Sequence, residues 1–99
     1  MDPDIRKFQQ AMRETYYERD SARGKWQTVA WLLEEVGELS RAIRKGEKGH
    51  IEEEFGDVAA WLASLANLVG VELSDAIGKY AEGCPKCGAV PCRCPQPRG

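Results

Sequence analysis

The chain gathers its reactive side chains in two short stretches. Eight of its sixteen acidic residues lie between Glu34 and Asp57, and all four cysteines lie between Cys84 and Cys94. Carboxylate oxygens collected in one place bind hard divalent cations, and Mg²⁺ keeps coordinated waters that a phosphate-bearing substrate can replace. Thiolates at close spacing instead grip a tetrahedral Zn²⁺. Whether either stretch is a site depends on where its side chains point.

For the acids, helical periodicity supplies the direction. Val29, Leu32, Val36, Leu39 and Ile43 repeat at steps of three and four, and Ile51, Phe55, Val58, Leu62, Leu65 and Val69 do the same, so each set is one face of an amphipathic helix. At about 100° per residue, Glu35 and Glu38 stand roughly 80° and 140° to one side of the first face, and Glu54 and Asp57 roughly 60° and 120° to the same side of the second. Two antiparallel helices are related by a two-fold axis, so equal offsets of equal sense meet on one side of the pair. The two acidic pairs also fall within about 4 to 5 Å of the same height in such a hairpin at 1.5 Å rise per residue. The four carboxylates are therefore expected to converge and to repel one another unless a divalent cation binds. The competing reading is a solvated acidic face. Glu34 points away from the seam, and Glu47, Glu52 and Glu53 read as solvated or helix-start acids. Arg41, Arg44 and Lys45 lie on the other side of their helix, out of direct reach of the cluster.

The cysteines read as a zinc knuckle, Cys84-Pro-Lys-Cys87-Gly, joined to a compact second pair, Cys92-Arg-Cys94. Four thiolates fill a tetrahedral ion and leave no open position, so such a site stabilises structure rather than doing chemistry. Disulfides in any of three pairings are the rival, disfavoured in an ordinary cytosol. His50 is expected at the start of a helix as a cap or surface residue.

The elements that must position these residues are all helical, since strand signals are absent and proline is confined to the two ends. Asp2-Pro3 is the expected cap of a first helix ending near Arg19, with Asp20 to Gly24 a connector. A second helix is expected from about Lys25 to Lys45, a turn at Gly46-Glu-Lys-Gly49, a third helix stopping at Gly70, and a short fourth helix capped by Ser74 and running through Tyr80. Gly37 and Gly56, unfavourable inside helices, suggest close approach of a neighbouring element. The organisation predicted is an all-α domain over residues 1–83, built on an antiparallel hairpin with flanking helices, then a knuckle over 84–94 and a tail over 95–99.

Composition narrows the classes. Ninety-nine residues, 42% hydrophobic and 30% charged, make one small globular domain whose core is marginal alone, so completion of the bundle by a homodimer or homotetramer is expected. No apolar run reaches the roughly 20 residues of a spanning helix, and the acidic start lacks the pattern of a signal peptide, so a cytoplasmic protein with no membrane partner is expected. A net charge of −2, with only Lys86, Arg93 and Arg98 in the tail, argues against nucleic-acid binding.

Glu34-Glu35-Val36-Gly37-Glu38, fifteen residues, then Glu54-Phe55-Gly56-Asp57 resembles the EExxE and ExxD signature of the MazG-like nucleotide pyrophosphohydrolases. The resemblance extends over about residues 4–80, including Trp31-Leu32-Leu33 and Asp57-Val-Ala-Ala-Trp61. It implies an all-α oligomer that hydrolyses nucleoside triphosphates, ribo or deoxy, to monophosphate and pyrophosphate with Mg²⁺, or Mn²⁺ in its place, in the manner of nucleotide-pool house-cleaning. It further implies Glu35, Glu38, Glu54 and Asp57 as metal ligands, Glu34 as a ligand or water-orienting base, Lys79 near phosphates and Asn67 near the nucleotide. Trp31 and Trp61, on the carboxylate side, could hold base or sugar, or be core and interface aromatics. Lys79 could equally be a surface lysine, and Asn67 lies about 160° from its own apolar face, so it would act only across a subunit boundary. Arg23, Lys25 and Trp26 precede the helix of the first acidic motif and could touch phosphate or base, with solvated charge the favoured reading. Phosphoribosyl-ATP pyrophosphohydrolase is the related alternative, although the Tyr-His pair usual after that family's second acidic motif is replaced by Ala60-Trp61. A non-catalytic helical interaction module carrying a zinc knuckle is the alternative from another class.

Overall fold

The computed structural model describes residues 4–95, and over them the chain is helical with no strand. Helix α1 spans Ile5–Arg23, α2 Lys25–Lys45, α3 Lys48–Val69 and α4 Leu73–Ile77, followed by a 3₁₀ turn over Gly78–Tyr80. From Ala81 to Pro95 the chain has turns and bends but no helix or strand. Asp4 caps α1 by accepting from the Lys7 amide at 2.7 Å; the expected cap at Asp2-Pro3 lies outside the described residues, as do residues 96–99 of the tail.

Helix α1 runs one turn past the expected end at Arg19. The polar run Asp20 to Arg23 remains helical because the Asp20 carboxylate is buried and paired with Arg23 at 2.8 Å. The chain then turns on one residue. Gly24 has φ 88° and ψ 160°, a conformation that a side chain would oppose, and its carbonyl accepts both the amide and the hydroxyl of Thr28, at 3.1 and 2.8 Å. The α2–α3 turn is shorter than the four residues expected. Gly46 at φ 76° donates back to the carbonyls of Ala42 and Ile43, and α3 begins two residues later. Gly70 ends α3 as expected, whereas α4 is one short helix plus the 3₁₀ turn, with Glu72 rather than Ser74 at its cap position.

The α2–α3 hairpin is the frame, and α1 packs mainly on α3. Its fully buried apolar residues are Ala42, Ala63 and Ala66, so the centre of the hairpin is small-sided. Polar contacts tie α1 down. Gln9 donates to Asn67 Oδ1 at 3.0 Å and to the Val71 carbonyl at 2.8 Å, and it accepts from the Leu73 amide at 2.8 Å. Asn67 returns a bond to the Gln9 carbonyl at 3.2 Å. Leaving any one of these buried groups unpaired would cost about 1 to 3 kcal/mol, so the contact is specific. Arg6 pairs with Glu72 and Asp75 at the exposed edge, where such pairs add little. A β-carbon at Gly37 or Gly56 would meet nothing within 4 Å, so the close approach expected there does not occur within the chain. Among the described residues no single helix is long and apolar enough to cross a membrane.

Candidate functional site

The hairpin brings Glu35 of α2 together with Glu54 and Asp57 of α3, one carboxylate oxygen from each lying within 4.8 Å of the others. Their environments are graded. Glu54 is 7% exposed, Glu35 is half-buried and Asp57 is exposed. Glu54 Oε2 is buried without any hydrogen-bond partner, and its other oxygen stands 3.8 Å from His50 Nε2, too far for a hydrogen bond. His50 itself is an exposed side chain in the first turn of α3, matching the surface reading. Glu35 is raised above the usual carboxylate range, first by burial, then by the adjoining Glu54 carboxylate and by the charges of Asp57 and Glu38. Three clustered carboxylates, with Glu35 disfavoured in its ionised form and Glu54 holding an unsatisfied buried oxygen, form an oxygen donor set suited to a hard divalent cation.

Glu38 lies near enough to act on Glu35 yet stands outside the group of three, because its carboxylate pairs with Arg41 at 3.1 Å. Arg41 therefore does reach this side of α2, contrary to the wheel. Glu34 is exposed. Trp31 and Trp61 meet each other, stacked at 5.8 Å with planes 12° apart. Asn67 is buried, engages Gln9, and lies ten residues beyond Asp57, about 15 Å along α3. Lys79 is exposed, 5.3 Å from the Tyr80 ring.

A cleft of about 310 Å³ adjoins the carboxylates between α1 and α3, lined by Arg19, Asp20, Arg23, Asp57, Trp61 and Ser64 among others. Asp20 is not singled out from the sequence because it looks like part of a connector, whereas Arg23 is weighed there as a phosphate or base contact against solvated charge. The signal present was the Asp-x-x-Arg spacing, which on a continuing helix pairs the two side chains.

In the C-terminal segment Cys84, Cys87, Cys92 and Cys94 are free thiols whose sulfurs all lie within 4.8 Å of one another. Cys84 and Cys94 are 3.7 Å apart and Cys87 and Cys92 4.0 Å. The Arg93 and Cys94 amides point at the sulfurs of Cys87 and Cys92, at 3.3 and 3.4 Å. Backbone amides push Cys84 down to about 6 and lower Cys87, whereas Cys94, surrounded by the other three thiols, is pushed up to about 12. A cation would relieve that conflict.

Comparison with known proteins places these features in a family. The model of the MazG nucleotide pyrophosphohydrolase domain matches residues 23–87, which include Glu34, Glu35, Glu38, Glu54 and Asp57. A Bacillus subtilis (strain 168) protein described as the uncharacterized protein YvdC is 34% identical over an 88-residue alignment covering 72% of this chain and 83% of that protein.

Proposed function

Because the chain belongs to the MazG nucleotide pyrophosphohydrolase family, we propose that it hydrolyses nucleoside triphosphates to the monophosphate and inorganic pyrophosphate with Mg²⁺ held by Glu35, Glu54 and Asp57. The observation that carries this reading is the convergence of those three carboxylates from two helices, with the buried Glu54 Oε2 unpartnered. Glu38 joins them by giving up an exposed pair with Arg41, which costs little. Bound Mg²⁺ would neutralise phosphate charge and lower the pKa of a coordinated water. The chain's own part is to fix the substrate against this cluster so that a water oxygen attacks the α-phosphorus in line with the departing pyrophosphate. A carboxylate oxygen not engaged by cation takes the water's proton, and the bond from the α-phosphorus to the bridging oxygen breaks. Mn²⁺ has the same preference for oxygen ligands and substitutes.

Pyrophosphate release should be measured across individual NTPs and dNTPs with and without Mg²⁺. Turnover of at least one nucleotide is expected, falling by at least about 100-fold in Glu54→Gln and Asp57→Asn, since even groups supporting metal ligands are worth 10- to 100-fold. No release from any nucleotide, or full activity in both variants, defeats the reading.

Two further components belong to the same reading. The cysteine tetrad holds a structural Zn²⁺, supported by sulfur separations of 3.7 and 4.0 Å that match the edge of about 3.8 Å of a tetrahedron with Zn–S bonds of 2.3 Å. The molecule works as a homo-oligomer, supported by the apolar stripes that α2 and α3 leave exposed.

A further inference from the structure

The cleft beside Asp57 contains a fixed cation that the carboxylate cluster does not account for. Arg23 closes α1, where Nη1 donates to Asp20 Oδ1 at 2.8 Å and reaches Thr28 Oγ1 at 3.4 Å. Its guanidinium carbon sits 4.8 Å from the centroid of the Trp61 ring, and Trp61 is itself stacked on Trp31. Contacts from all three long helices thus hold in one direction a side chain that on an open surface would keep its rotamer freedom.

Holding the last turn of α1 does not by itself account for that arrangement. Asp20 is 1% exposed and its Oδ2 is buried with no hydrogen-bond partner. A buried ion pair offsets its desolvation only when its remaining polar atoms are satisfied, so an incompletely bonded one is weak evidence for a stabilising role. Arg23 is also not sealed. Its side chain is 22% exposed and faces the cleft that Arg19, Asp57 and Trp61 share. A guanidinium presents five N–H donors, and only Nη1 is engaged by Asp20 and Thr28.

We infer that Arg23 binds phosphate oxygens of the substrate, with Asp20 and Trp61 as positioning residues that aim its fork toward the cation-binding carboxylates. The planar fork matches phosphate oxygens two at a time, and Asp57 borders both the cleft and the carboxylate cluster, so one phosphate chain can reach Arg23 and the cations together. This assignment rests on the proposed reaction, but it is tested by binding as well as by turnover.

The probe is inorganic pyrophosphate, titrated calorimetrically into the full chain with Mg²⁺ present, alongside KM and kcat on the best nucleotide. Arg23→Gln is expected to weaken pyrophosphate binding and raise KM by about 10- to 100-fold, the range for a lost charge-assisted hydrogen bond. Arg23→Lys should recover part of the loss, restoring the charge without the fork. The Mg²⁺ concentration needed to raise the melting temperature should stay unchanged, because the carboxylates are intact. If Arg23→Gln fails to fold around the unpaired Asp20, the Asp20→Asn/Arg23→Gln double variant replaces it and should show the same loss. Pyrophosphate binding equal to wild type in whichever of these folds overturns the assignment. Absence of turnover in the wild type would defeat the proposed reaction but leave Arg23 judged by the calorimetry.

Discussion

Glu35 carries a proton more readily in the folded chain than in the unfolded one, because burial and the carboxylates of Glu54, Asp57 and Glu38 all oppose its ionisation. The linkage sign follows. With its folded value raised above the ordinary 4.5, Glu35 adds stability that is fully present below that ordinary value and is lost as pH rises through the raised one. Thermal melts of chelator-treated protein across that window should therefore show stability falling as pH rises, and Glu35→Gln should flatten the profile. Parallel profiles for the two proteins would contradict the clustering. Added Mg²⁺ should oppose that fall, since a cation bound at the carboxylates favours the ionised form that burial and the neighbouring charges disfavour. The positions of Glu35, Glu54 and Asp57 were legible because a wheel and a rise per residue suffice to place them. The orientation of Glu38 was not, because a long side chain can swing to Arg41, and a wheel fixes only the direction of its β-carbon.

Among the elements, α2 follows its periodicity from Lys25 to Lys45, and α3 ends at the glycine that the pattern ends on. The end of α1 was the harder boundary. Asp20 and Ser21 favour loops locally, and the pairing of the buried Asp20 with Arg23, together with the contacts of Arg23 to Thr28 of α2 and Trp61 of α3, keeps the last turn helical. The segment after the 3₁₀ turn is the opposite case. Its described residues form no helix or strand, and Val90, its one large aliphatic side chain, is 80% exposed, so there is almost no apolar burial to hold its turns. Metal binding would then supply the folding free energy of this element. Purified under reducing conditions, the protein should contain one equivalent of zinc per chain, released together with four alkylatable thiols on denaturation. Cys87→Ser and Cys92→Ser should lose the zinc and expose the segment to protease while α1 to α3 stay protected. Two disulfides and no metal in that preparation would exclude the zinc site.

For the whole molecule the deciding feature is how little of its apolar surface one chain can cover. Among the described hydrophobic residues only alanines are buried, whereas Leu33 and Phe55 are 65% and 56% exposed. Phe55, Leu62 and Val69 recur every seven residues along α3, and Leu33, Val36 and Ile43 form a matching exposed series on α2. Composition pointed to a marginal core, but not to which faces would be left open, because both faces of a two-sided helix give the same hydrophobic count. Light scattering at micromolar concentration should give a mass at least twice the 11.0 kDa of one chain, and Phe55→Glu should lower both that mass and the melting temperature. A monodisperse wild-type monomer would refute the oligomer. The attachment of α1 has a separate dynamic consequence. The Leu73 amide hydrogen is held by the Gln9 side chain of a different helix, not by the backbone of its own. Its exchange with solvent deuterium therefore requires α1 to lift from the hairpin or Gln9 to let go, so the exchange rate of that one proton gauges how often the first helix opens while the rest of the fold stays closed.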